Sequence, residues 1–184
     1  CLPWKKRASP CVAVVGSRRA TGYGITMASR LSQELASRGH PIISGLARGI
    51  DTAAHTGALQ AGGSTFAVLG GGLGKDLTCV YPPENRKLAQ RILETGCLLT
   101  EYEPGLPPAA FHFPMRNRII SGISKGVIVV EAGMKSGSLI TVGTALEQNR
   151  DVMVVPGNAT SVCSQGGNQL IREGATLVQT VEDA

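Results

Sequence analysis

The sequence predicts an α/β protein with an extended Rossmann-like, doubly wound and mostly parallel sheet, and three observations carry the prediction. Short β-branched apolar runs alternate with longer helix-like stretches along most of the 184 residues. Many of the 24 glycines cluster where a strand-like run hands over to the next helix-like stretch. Two helix-like stretches, Asp51–Ala58 and Gly137–Ala145, are built largely from small residues that let a helix pack closely on a sheet.

In chain order, the expected strands are Val12–Val15, Pro41–Ser44, Thr65–Leu69, Leu98–Glu101, Val127–Glu131, Val152–Val155 and Thr176–Val178. The expected helices between them are Gly24–Arg38, Asp51–Ala61, Glu84–Thr95, Arg116–Ser124, Leu139–Gln148 and Asn168–Glu173. The length suits one domain. Residues 1–10 read as a linker or the remnant of a preceding segment, because the chain opens on Cys1 and a polar, proline-containing stretch; residues 11–184 read as a single Rossmann-like domain.

Composition narrows the class. No apolar run approaches the ~20 residues of a membrane helix, and the N-terminal stretch lacks the pattern of a signal peptide, so a cytoplasmic protein with no membrane contact is expected. Five widely spaced cysteines without a Cys-x-x-Cys pair suggest neither a disulfide framework nor a zinc site. His40, His55 and His112 show no metal spacing, so no metal is expected. A formal net charge of +5 suits a polyanionic partner without demanding one.

Open α/β sheets bind ligands at the carboxyl ends of their strands, so the strand-to-helix loops carry the functional reading. After the first strand, Gly16-Ser17-Arg18-Arg19-Ala20-Thr21-Gly22-Tyr23-Gly24 departs from the Gly-x-Gly-x-x-Gly dinucleotide spacing. It nonetheless offers backbone N–H groups, hydroxyls and guanidinium groups at a helix start, which suit phosphate. After the second strand, Arg48 stands between glycines, placed either to meet an anion or to form a surface ion pair, and Asp51 is placed to cap the next helix. Gly70-Gly71-Gly72-Leu73-Gly74-Lys75-Asp76 fails as a Walker A loop, because its glycine spacing is one residue short and Asp76 replaces the magnesium-binding hydroxyl.

Phe111-His112-Phe113-Pro114-Met115-Arg116-Asn117-Arg118 places aromatics beside arginines, the combination by which single-stranded nucleic acid is held, with bases on rings and phosphates on guanidinium groups. Phe113 is the stacking candidate, its alternative being a core role. Lys135, Ser136, Gly137 and Ser138 form a second phosphate-suited helix start. Two such sites at neighbouring strand ends fit a polynucleotide backbone. Gly122-Ile123-Ser124-Lys125-Gly126 matches the nucleophile-elbow string in the wrong context, between a helix and a strand, so it offers no catalytic serine.

Taken in order, the strings Gly16-Ser17-Arg18, Ser44–Asp51, Tyr81-Pro82-Pro83-Glu84-Asn85, Phe113–Gly122, Ser136–Thr141, Val155-Pro156-Gly157-Asn158 and Gly166–Ile171 resemble the DprA/Smf family of DNA-processing proteins over roughly residues 11–183. The resemblance implies an extended Rossmann fold, a homodimer, and binding of incoming single-stranded DNA during natural transformation, with protection of that DNA and loading of the RecA recombinase. It implies no catalysis and no cofactor. Carried over by position, the DNA-binding set is Gly16, Ser17, Arg18, Arg48, Phe113, Arg116, Asn117, Arg118, Lys135, Ser136, Gly137 and Ser138. Family members often add an N-terminal helical and a C-terminal winged-helix domain, neither of which is expected within these 184 residues. The fold is also similar to that of the lysine-decarboxylase-like phosphoribohydrolases, which cleave nucleoside monophosphates. Aligning their Gly-Thr on Gly137-Ser138, however, puts Thr141 in the place of the catalytic glutamate.

Overall fold

The computed structural model describes residues 10–74 and 76–184. Apart from Pro10, the expected linker lies outside the described residues, as does Lys75 of the glycine-rich loop.

The chain folds in the order β1 (Val12–Gly16), α1 (Gly22–Ser37), β2 (Ile42–Ser44), α2 (Ile50–Gln60), β3 (Thr65–Val68), α3 (Arg86–Thr95), β4 (Cys97–Leu99), α4 (His112–Gly122), β5 (Gly126–Val130), α5 (Ser138–Glu147), β6 (Asp151–Val155), α6 (Gln165–Arg172) and β7 (Thr176–Leu177). Short 3-10 turns occupy Pro83–Asn85 and Val181–Asp183. The strands form one sheet in the order β4-β3-β2-β1-β5-β6-β7, and every pairing is parallel. From β1 the chain winds outward to β4, then returns to the other side of β1 to build β5, β6 and β7. The reversal between β1 and β5 opens a crevice at their carboxyl ends.

Alternation along the central strands feeds two cores. Val14, Ile128 and Val130 pack with Leu31, Leu35, Ile50 and Ala54 of α1 and α2 on one face. On the other, Ala13, Val15, Val127 and Val129 pack with Ile120, Val142 and Ala145 of α4 and α5. A third cluster, including Leu46, Leu69, Val80, Leu88 and Ile92, closes the β3–β4 side beneath α3. Cys11 and Cys97 lie in the second cluster as small buried side chains.

Several boundaries shift for identifiable reasons. Helix α1 begins at Gly22 because the Thr21 side chain caps it, accepting from the Gly24 N–H at 3.3 Å. Helix α4 begins at His112 rather than Arg116, with Pro114 in its first turn, where a missing N–H costs nothing. Asp51 does not cap α2, whose cap is Gly49. Its buried Oδ2 instead accepts from the Gly45 and Ala47 N–H groups, at 3.0 and 3.2 Å, and ties down the loop ahead of the helix. Ser124 lies in the α4-to-β5 turn and donates to the Ile120 carbonyl. Among the described residues no helix is long and apolar enough to cross a membrane.

Candidate functional site

A cavity of about 1160 Å³ occupies the crevice between the ends of β1 and β5. Its walls include the loop after β1 (Gly16–Arg19), the first turns of α4, and the approach to α5 (Gly133–Ser138). Of the residues named from sequence, Gly16, Ser17, Arg18, Phe113, Arg116, Asn117, Lys135, Ser136, Gly137 and Ser138 all line it. Arg48 and Arg118 do not. Arg118 forms an exposed ion pair with Glu101 at 2.6 Å. Arg48 forms one with Glu84, and its guanidinium lies 5.9 Å from the centroid of the Tyr81 ring. The hydrogen bond to Glu84 raises the Arg48 pKa and lowers that of Glu84.

The two helix starts differ. At α1, the position expected to hold phosphate is already filled by a carboxylate of the chain itself. Glu131, just beyond β5 with φ of 52°, accepts from the Thr21 N–H at 2.8 Å and from the Thr21 hydroxyl. Its own backbone carbonyl accepts from the Ser17 N–H at 2.8 Å. A left-handed backbone in a non-glycine residue is costly and persists only where such contacts hold it. What the β1 loop presents to the cavity is therefore Ser17, Arg18 and Arg19, and not the dipole end of α1. Gly16 contributes close packing, because a Cβ there would lie 1.8 Å from the Val130 carbonyl oxygen of the paired strand.

At α5 no side chain caps the helix. Ser136 and Ser138 share a hydrogen bond at 2.7 Å between their hydroxyls, beside the exposed Lys135. The Ser138, Leu139 and Ile140 N–H groups donate within this first turn, to the Ser136 hydroxyl and to the Ser136 and Gly137 carbonyls. What the helix start offers a phosphate is therefore its dipole end, two hydroxyls and a cation.

Between the two loops stands an aromatic platform. Phe113 is half-buried, its ring centroid 5.6 Å from that of Tyr81, with the Arg18 guanidinium 5.4 Å away. The ring rests on the bare α-carbon of Gly70, where a Cβ would come within 2.7 Å. The glycine after β3 thus serves packing under Phe113. Neither Phe111, which is largely exposed, nor Phe113 belongs to the core; Phe66 does.

Arg116 behaves unlike the other cations. It is only 4% exposed, and its Nη1 donates to the Gly45 carbonyl at 2.9 Å and to the Val68 carbonyl. Burial pushes its pKa down to about 10 against the opposing pull of Asp51. Burial likewise raises the Asp51 carboxyl, opposed chiefly by Arg116. Arg116 thereby ties the ends of β2 and β3 together, and the cations that reach the open cavity are Arg18, Arg19 and Lys135. Arg19, read as phosphate-suited with the rest of the β1 loop but outside the set carried over by position, lines the cavity, as does Tyr81, which had been assigned no role. Arg19 adjoins Arg18 and was within reach of the same reasoning, whereas Tyr81 arrives through a fold-back that no local pattern announces.

Fold and site define the class: a Rossmann-like α/β protein with a largely cationic, aromatic-floored crevice at its topological switch point. Residues 3–184 match the family model of DNA recombination-mediator protein A. DNA processing protein DprA of Streptococcus pneumoniae is 49% identical over 95% of this chain and 60% of its own length. Its X-ray structure superposes with a TM-score of 0.86, over 95% of this chain and 60% of that one. Protein Smf of Escherichia coli is 48% identical over 94% of this chain and 45% of its own length. The structure of DNA processing protein A from Helicobacter pylori, described for its single-stranded DNA binding mode, has a TM-score of 0.85 at 32% identity, covering 95% of this chain and 78% of that one. The chain belongs to the DprA/Smf family of DNA-processing proteins, and spans about half the length of these curated relatives.

Proposed function

We propose that this chain binds single-stranded DNA in the β1–β5 crevice, as a binder without a catalytic step. The observation that carries the reading is the convergence, in one cavity, of an aromatic platform with cations on two neighbouring loops. Phosphates lie along Ser17–Arg19 and Lys135–Ser138, and a base stacks on Phe113. That the H. pylori relative is described for binding single-stranded DNA supports the ligand class. Protection of incoming DNA, RecA loading in natural transformation, homodimerisation and a cytoplasmic location are proposed on family membership. Against nucleotide hydrolysis stands Thr141, buried in the place of the required carboxylate and offering no acid–base group.

Oligo-dT titration tests the reading. Single strands should bind in preference to duplex, because stacking needs exposed base faces. Log affinity against log salt should fall with a slope of roughly −2 if three phosphates meet Arg18, Arg19 and Lys135, and roughly −3 if Arg48 leaves Glu84 to join them. Arg48→Ala separates the two cases, since it makes the slope shallower only in the second. Equal affinity for duplex, or a flat salt response, would reduce the crevice to a generic basic surface.

Phe113→Ala should weaken binding by about 1–3 kcal/mol and leave the salt slope nearly unchanged, since stacking releases few ions. The half-buried ring predicts near-parental thermal melting. A large melting loss would instead make Phe113 a structural residue.

A further inference from the structure

The string Val155-Pro156-Gly157-Asn158 has no part in the crevice, yet it lines a second pocket of about 390 Å³. Thr21, Tyr23, Glu131, Pro156–Asn158, Ser161 and Ser164 enclose it. Three segments wall both cavities. Ser17–Arg19, Gly133–Ser136 and Val162, Cys163 and Gln165 face the large one, while Thr21 and Tyr23, Glu131, and Ser161 and Ser164 face the small one. The two cavities are therefore lined by neighbouring residues of the same three segments.

The polar groups of this pocket are mainly acceptors. The Glu131 carboxylate is 6% exposed and, among the described residues, has no cationic partner; its bonds come from Thr21. Ser164 is 5% exposed, and its hydroxyl has no hydrogen-bond partner among the described residues. Tyr23 donates its phenol proton to the Pro156 carbonyl at 2.7 Å, which leaves its oxygen lone pairs available. Burial and Glu131 both raise the Tyr23 pKa, so the phenol keeps that proton. The Asn158 Oδ1 is taken by the Thr160 N–H and hydroxyl, leaving the amide NH₂. A phosphate is repelled by Glu131, and a purely apolar group would leave Ser164 without a partner. A neutral heterocycle bearing an N–H₂ group satisfies the set, as a carboxylate accepts from the cytosine amino group in base readout.

We propose that this pocket takes one nucleobase with an exocyclic amino group from the strand whose phosphates lie in the crevice, an assignment that rests on the single-stranded DNA reading. Oligo-dC and oligo-dT of equal length test it, being pyrimidines that differ at the group in question. The chain should bind oligo-dC about five- to tenfold more tightly at one salt concentration, the scale of one well-made hydrogen bond. Ser161→Leu, which fills the pocket from a half-buried loop position, should bind both at the parental oligo-dT affinity. Ser164→Ala should narrow the difference about two- to threefold by removing one acceptor. Equal binding of both oligonucleotides by the parent overturns the proposal and leaves the single-strand reading standing. A cytosine preference that survives both substitutions also overturns it, by placing the discrimination elsewhere. Binding of neither oligonucleotide removes both readings.

Discussion

Arg116→Ala is expected to destabilise the fold by about 3–5 kcal/mol, because it strips a buried charged donor from two carbonyls and leaves a void beside a buried carboxylate. For a domain of this size that lowers the melting temperature by roughly 6–20 °C. The Gly45 and Val68 carbonyls lie at the ends of β2 and β3, and no other side chain bridges them among the described residues. Asp51, buried and already pushed toward protonation, loses the cation that opposes that shift. Arg18→Ala provides the contrast. Arg18 is exposed, so its loss should change stability by less than about 0.5 kcal/mol while weakening DNA binding and making the salt slope shallower by roughly 0.7. If Arg116→Ala melts like the parent and releases DNA, Arg116 is a phosphate contact after all and the structural assignment fails.

Helical phase accounts for the different fates of Arg116, Asn117 and Arg118. With α4 beginning at His112, Phe113, Arg116, Asn117 and Ile120 fall at i, i+3, i+4 and i+7 and share the face turned to the crevice. Arg118 falls off that face and finds Glu101 instead. Starting the helix at Arg116 hid which of these side chains share a face with Phe113, and Arg116, Asn117 and Arg118 were all assigned to DNA. The first-turn Pro114 was the available signal, since proline is welcome there and nowhere further along.

The alternating apolar runs located all seven strands to within a few residues, because a parallel strand buried on both faces must be a short, nearly continuous hydrophobic segment. The loops that face the crevice were legible for the same reason: they follow strands. What the sequence withheld were pairings across distance. Arg48 meets Glu84 36 positions away, and Thr21 meets Glu131 110 positions away. Neither separation has a periodicity to betray it. Glu131 in particular read as the last residue of a strand, whereas its left-handed turn sends the carboxylate to the helix start that seemed open to a ligand.

Acid should destabilise the protein through His55 well before its carboxylates titrate. His55 is wholly buried in α2, its Nδ1 2.7 Å from the Thr65 hydroxyl, which itself donates to the Ile42 carbonyl at 2.8 Å. Nδ1 therefore carries the proton, and Nε2 is buried without a partner. Burial first, and Arg116 second, push the imidazole pKa from 6.5 down to about 3. Below pH 6.5 the unfolded chain takes up a proton that the folded chain refuses until about pH 3. Stability is thus present in full above the unfolded value and falls as pH falls through the window, by roughly 4–5 kcal/mol over its whole width. Asp51 acts in the opposite sense, since its raised pKa lets the folded state bind a proton first. The exposed carboxylates held low by their partners, Glu84 and Glu182, add to the acid loss only at lower pH. Between pH 7 and 5 the His55 contribution, read as the difference between the parent and a His55→Leu variant so that the opposing Asp51 contribution cancels, should lower stability by about 2 kcal/mol and the melting temperature by roughly 4–8 °C. His55→Leu removes the titrating group while Thr65 keeps its bond to Ile42, so its melting temperature should fall less than the parent's by that amount across the range. A His55→Leu variant whose melting follows pH from 7 to 5 just as the parent's does would show that the imidazole is not held neutral inside the fold.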